Sequence, residues 1–111
     1  MDIRELKVED ILTVMPLRKR IDASWSPELK AFMLDRINSG HTKIILDLSE
    51  VDFIDSTGLG TIVASLKAMT GKGELAISGL GETVGSIFSI THMEKIFKIF
   101  PSRQEAVEAL R

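Results

Sequence analysis

The 111-residue sequence has no cysteine and only two histidines, His41 and His92. The first absence removes disulfides, thiol nucleophiles and cysteine-ligated metal sites together. The histidines stand far apart without a H-x-x-x-H pairing, so metal chemistry is not expected. Excess positive charge is missing too: 14 Lys and Arg against 16 Asp and Glu leave a formal net charge of −2. A protein that works mainly by gripping a phosphate backbone needs a basic face. The lone cluster Arg18-Lys19-Arg20 reads instead as a solvated strand end. No uninterrupted apolar stretch approaches the roughly 18 residues of a membrane span, and the opening MDIRELKVED lacks the apolar core of a signal peptide. The expectation is a soluble, cytoplasmic protein without nucleic-acid binding or direct membrane insertion. Repeats, low-complexity tracts and linkers are also absent.

What is present is ordinary globular composition, 44% apolar and 27% charged, in a length suited to one core. Residues 1–111 are therefore read as a single domain. Ile3, Leu6 and Val8, then Ile11, Leu12, Val14 and Leu17, read as two short strands joined near Glu9-Asp10. Pro16 lacks a ladder donor and suggests an edge or bulge in the second. Ser26-Pro27-Glu28 has the form of a helix start with Ser26 as N-cap. Leu29, Phe32, Met33, Leu34 and Ile37 continue that helix to Ser39-Gly40. Ile44 to Leu48 is a nearly continuous apolar run, as in a strand buried on both faces. Leu59, Ile62, Val63, Leu66 and Met69 form a second helical stripe, Leu75 to Ile77 a strand, and Val84, Ile87, Phe88 and Thr91 a third helix. Ile96 to Phe100 reads as a last strand. Ser102 and Glu105 have capping-box spacing before a final helix. The order ββαβαβαβα implies an α/β fold with a mixed sheet, an N-terminal hairpin followed by parallel strands, and about four packed helices. Asp22 and the Asp55–Gly60 turn both follow strands, where such folds gather functional groups.

The stretch Asp52-Phe-Ile-Asp-Ser-Thr-Gly-Leu-Gly60 admits three readings. As a phosphate loop it is incomplete: Val63 stands where the third glycine of G-x-G-x-x-G belongs, and Gly71-Lys72 has neither the earlier glycine nor the hydroxyl of a Walker loop. As a nucleophile elbow it lacks the flanking glycines around Ser56 and an evident base. As a target of modification it fits better. A serine at a helix start sits near unpaired N–H groups and the positive end of the helix dipole, and glycines keep the turn open to another protein. A plain helix cap is the competing structural reading.

At this point a family resemblance enters. Ile45-Leu-Asp-Leu-Ser49 followed by Val51-Asp-Phe-Ile-Asp-Ser-Thr-Gly-Leu-Gly60 resembles the STAS domains of bacterial anti-sigma factor antagonists. Arg20-Ile-Asp-Ala-Ser24 with Pro27-Glu-Leu29 extends the likeness, as do Gly73-Glu-Leu75, Ile77, Gly79-Leu80 and Thr91-His-Met-Glu-Lys-Ile-Phe97. The resemblance implies a STAS-like fold and a non-enzymatic partner-switching regulator. In that family the serine after the motif aspartate is phosphorylated by a histidine-kinase-like serine kinase that doubles as the anti-sigma factor. A PP2C-type phosphatase reverses the modification, and the unphosphorylated form binds the kinase. Carried over by position, Ser56 is the phosphoacceptor, and no cofactor is implied for this chain.

Asp22, Trp25, Asp55, Thr57, Gly58 and Leu59 are the expected partner-binding residues around it. Several carry a second reading. Asp22 is a docking residue or a helix-start turn residue. Thr57 reads as a packed helix-start hydroxyl, with minor phosphoacceptor as the alternative. Leu59 is an interface anchor or a core residue, while Asp47 reads as a local hydrogen-bond acceptor. Met33, Met69 and Met93 read as core. Two residues depart from the family pattern: Lys19 replaces a glycine and Trp25 a small or polar residue. Trp25, expected in an exposed loop, is either a partner anchor or a lid over an apolar gap. The alternative functions are a STAS module with a non-sigma output (biofilm, secretion or lipid transport) and a small nucleotide-binding protein.

Overall fold

A computed structural model describes residues 2–111. Its elements are β1 (Ile3–Val8), β2 (Ile11–Pro16), β3 (Arg20–Ile21), α1 (Ser26–Asn38), β4 (Lys43–Asp47), β5 (Phe53–Ile54), α2 (Ser56–Met69), β6 (Glu74–Ser78), α3 (Glu82–Ile90), a 3-10 turn (Met93–Lys95), β7 (Lys98–Phe100) and α4 (Arg103–Leu110). The main sheet runs β1-β2-β4-β6-β7. β1 is antiparallel to β2, and every other neighbouring pair is parallel. This is the mixed sheet with four helices that the periodicities imply.

Side-chain alternation divides the core in two. Leu12 and Val14, Ile44 and Leu46, and Leu75 and Ile77 belong to the larger cluster, with Leu29, Met33 and Ile37 of α1, Ile62 and Met69 of α2, and Val84 and Phe88 of α3. The intervening Ile11, Ile45 and Ala76 meet Ala106, Val107 and Leu110 of α4. Burial on both faces accounts for the unbroken apolar run in β4. A bidentate pair fastens α1 to the sheet edge: Arg36 donates from Nε and Nη2 to the Glu5 carboxylate at 2.9 and 2.8 Å. That guanidinium holds the Glu5 carboxyl below its ordinary range. No helix among the described residues is long and apolar enough to cross a membrane.

Several local expectations need correction. Pro16 does not mark an edge, because β2 lies inside the sheet and β1 is the outer strand. Pro16 is the last residue of β2, beyond the Leu12–Val14 segment that pairs with β4, so its missing N–H is harmless. Ser26 is the first residue of α1 rather than its cap. Its hydroxyl instead donates back to the Asp22 carbonyl at 2.7 Å. Ile96 and Phe97 lie outside the last strand, because a 3-10 turn consumes the preceding residues. Ser102 does cap α4, accepting from the Glu105 N–H at 3.2 Å. Asp47 is the local acceptor expected of it, taking Ser49 N, Ser49 Oγ and Ser78 Oγ at 2.9, 2.5 and 2.9 Å.

Candidate functional site

Two elements too short to show a period build the site. β3 and β5 form a separate two-stranded parallel sheet, with Arg20 opposite Phe53 and Ile21 opposite Ile54. Asp22 and Asp55 therefore leave adjacent strand ends, and the loops that follow meet. The Asp55 N–H donates to the Ile21 carbonyl at 3.1 Å. One Asp55 carboxylate oxygen accepts the Gly58 N–H at 2.8 Å and caps α2. The other accepts the Ala23 N–H at 3.1 Å, clasping the β3–α1 loop to the mouth of α2.

Asp22 organises its own loop. Its carboxylate accepts the Ser24 N–H at 3.1 Å and the Ser24 hydroxyl at 2.6 Å. Its carbonyl accepts the Trp25 and Ser26 N–H groups at 3.1 and 2.8 Å. The Ser24 hydroxyl bond is the main reason its carboxyl lies below the usual range, with Arg20 adding a smaller pull. Asp22 is thus a turn residue whose carboxylate still reaches solvent.

Ser56 is the first residue of α2 and is exposed. Thr57 beside it is exposed too, not packed as expected. Gly58 and Trp25 do not belong to the exposed surface. Gly58 is buried, and a Cβ there would stand 2.3 Å from the Ile21 carbonyl oxygen and 2.9 Å from side-chain carbons of Ile21 and Ile54. Its glycine is what lets α2 rest directly on β3. Trp25 is only 1% exposed, so it is no ready partner anchor. It caps the large core cluster as a lid, with the Arg18 guanidinium 5.4 Å from its ring centroid. Leu59 is half-buried against the same core. Lys19 projects outward beside Asp52 at 3.7 Å, and Arg20 lies over Phe53, so the basic cluster is a solvated, acid-paired strand end.

A STAS domain family model matches residues 4–106. The chain belongs to the STAS family. Among its relatives is a Thermotoga neapolitana protein described as a candidate anti-sigma factor antagonist, 36% identical over 106 residues, covering 94% of this chain and 93% of that one. The crystal structure of a candidate anti-sigma factor antagonist from Thermotoga maritima matches this STAS domain with a TM-score of 0.91 at 32% identity, covering 98% of this chain and 94% of that one. The phosphorylated form of the Bacillus cell-fate determinant SpoIIAA matches with a TM-score of 0.74 at 17% identity, over 98% of this chain and 99% of that one. This last likeness is one of fold alone.

The clasp is the feature that sequence reading missed. A signal for it exists: Arg20-Ile21-Asp22 and Phe53-Ile54-Asp55 repeat the same apolar-then-acid step. Replacing Asp55 with alanine removes the α2 cap and the partner of the Ala23 N–H together. We expect a loss of about 1–2 kcal/mol in urea unfolding. Asp55→Asn, which keeps a carbonyl acceptor, should lose about half of that.

Proposed function

We propose that this STAS domain is a partner-switching regulator of the anti-sigma factor antagonist type, reversibly phosphorylated on Ser56. A histidine-kinase-like serine kinase that also acts as an anti-sigma factor transfers the phosphate, and a PP2C-type phosphatase removes it. The unphosphorylated form binds the kinase in the cytoplasm and frees what the kinase was holding. ATP and its metal ion belong to the kinase, and this chain supplies no cofactor.

The observation that carries this reading is an exposed Ser56 hydroxyl on the first turn of α2, beside a carboxylate fixed by two backbone N–H groups. Exposure lets another active site reach the hydroxyl. The helix mouth accommodates the resulting charge, by about 0.3–1 kcal/mol at an exposed site. The relatives described as anti-sigma factor antagonists support the reading, and a phosphorylated member of the fold fits it. The surrounding face would be formed by Asp22, Asp55, Thr57 and the exposed part of Leu59.

The test is to incubate the domain with the kinase and ATP and to map the product by mass spectrometry. One phosphate is expected on Ser56 and none on Ser56→Ala. Modification elsewhere with Ser56 untouched would refute the assignment.

A further inference from the structure

A groove of about 500 Å³ lies between the first turns of α1 and α2. Pro27 and Lys30 of α1 form one wall, and Thr57, Gly60 and Thr61 of α2 form the other. The walls are mostly carbon: a proline ring, threonine methyls, a glycine backbone and the lysine stem. Thr57 adjoins Ser56, so the groove opens onto the same surface as the proposed phosphoacceptor.

Gly60 is the informative residue. It lies inside α2, where glycine weakens a helix relative to almost any other residue. Its neighbour Gly58 is required by the close approach of Ile21. Gly60 has no such reason: a Cβ there would meet nothing within 4 Å, and its backbone is not left-handed. The fold has no need of this glycine. What its missing side chain does is keep the groove open from outside.

Lys30 supplies the charge. Arg18, Lys19 and Arg20 each have an acidic partner within 4 Å. Among the described residues Lys30 has none. An unpaired cation at the rim of an apolar groove suits an apolar segment that ends in a carboxylate.

We propose that the α1–α2 groove receives one short apolar segment of the kinase, with a carboxylate of that segment set against Lys30. This rests on the phosphorylation of Ser56 proposed above and names the surface that goes with it. The arrangement also gives the phosphate something to repel. A dianion on Ser56 would stand at the edge of a groove holding a partner carboxylate.

The test uses the purified kinase that modifies Ser56, with its affinity for the unphosphorylated domain measured by calorimetry. Gly60→Gln should raise the melting temperature by about 2–4 °C, since glutamine is the better helix former, yet weaken kinase binding at least tenfold by filling the groove. Lys30→Glu should also weaken binding at least tenfold and reduce its salt dependence. Lys67→Glu, the same charge change in the last turn of α2, should bind like the wild type. Wild-type affinity in Gly60→Gln overturns the groove, and wild-type affinity in Lys30→Glu overturns the carboxylate. If both bind normally to a kinase that does phosphorylate Ser56, only this inference falls. If no phosphate reaches Ser56, the functional reading falls and takes the groove with it.

Discussion

Trp25→Ala should destabilise the domain by about 4 kcal/mol, the range for truncating a large buried aromatic side chain. Trp25 heads the largest fully buried side chains and is 1% exposed. It is also the N-cap residue of α1, so the cavity would open under the loop that Asp22 and Asp55 hold together. For a domain of ordinary stability, such a loss is a large share of the total. Trp25→Phe should behave differently. Its smaller ring costs packing, but it also removes the indole N–H, which is buried without a hydrogen-bond partner. Burying an unsatisfied donor costs about 1–3 kcal/mol, so the two effects should leave Phe within about 1 kcal/mol of the wild type. Urea unfolding followed by far-UV circular dichroism separates the outcomes. A small loss in Trp25→Ala would show that the lid contributes little. A kinase affinity unchanged in Trp25→Phe would agree with a lid and disagree with an anchor.

The same residue shows where reading the sequence reaches its limit. Periodicity located the helices and the main strands because each repeats over two or more turns or pleats. It gave the double-faced burial of β4, and with it the parallel core of the sheet. β3 and β5 have only two residues each, and no period can show in two residues. Their pairing depends on contacts more than thirty residues apart, and it is this pairing that brings Asp22 and Asp55 together. Trp25 looked exposed because its neighbours Ser24, Ser26 and Pro27 are typical loop residues. The chain turns there so that the ring folds inward over Leu29 and Met33, while Arg18 covers it from outside. Ser56 was legible from the motif and its resemblance. The contrast between Gly58 and Gly60 was not, since one glycine is fixed by a carbonyl across the fold and the other by nothing within it.

Phosphorylation of Ser56 should weaken kinase binding about 100-fold while shifting the melting temperature by less than about 2 °C. The small thermal effect follows from position. The serine is exposed at the positive end of α2, so the free domain leaves the phosphate hydrated and partly offset by the helix. The large binding effect follows from the neighbours. Asp55 has its two carboxylate oxygens committed to Gly58 and Ala23 N–H groups, so it cannot swing away. Asp22 is held ionised by the Ser24 hydroxyl. A phosphate of about −1.5 to −2 charge would join these fixed carboxylates. Docking a partner over it would remove water from a charge with no cation to replace that water. About 2.7 kcal/mol suffices for the expected hundredfold change. Ser56→Asp, with one charge and a shorter reach, should weaken binding by about tenfold. Both differences should narrow at high salt, where exposed like charges are screened. Equal affinities for the phosphorylated and unmodified domains, measured at low ionic strength, would exclude charge as the release mechanism. A loss of affinity matched by a large fall in melting temperature would point instead to disruption of the α2 start, the one element on which Ser56 and the Asp55 clasp both depend.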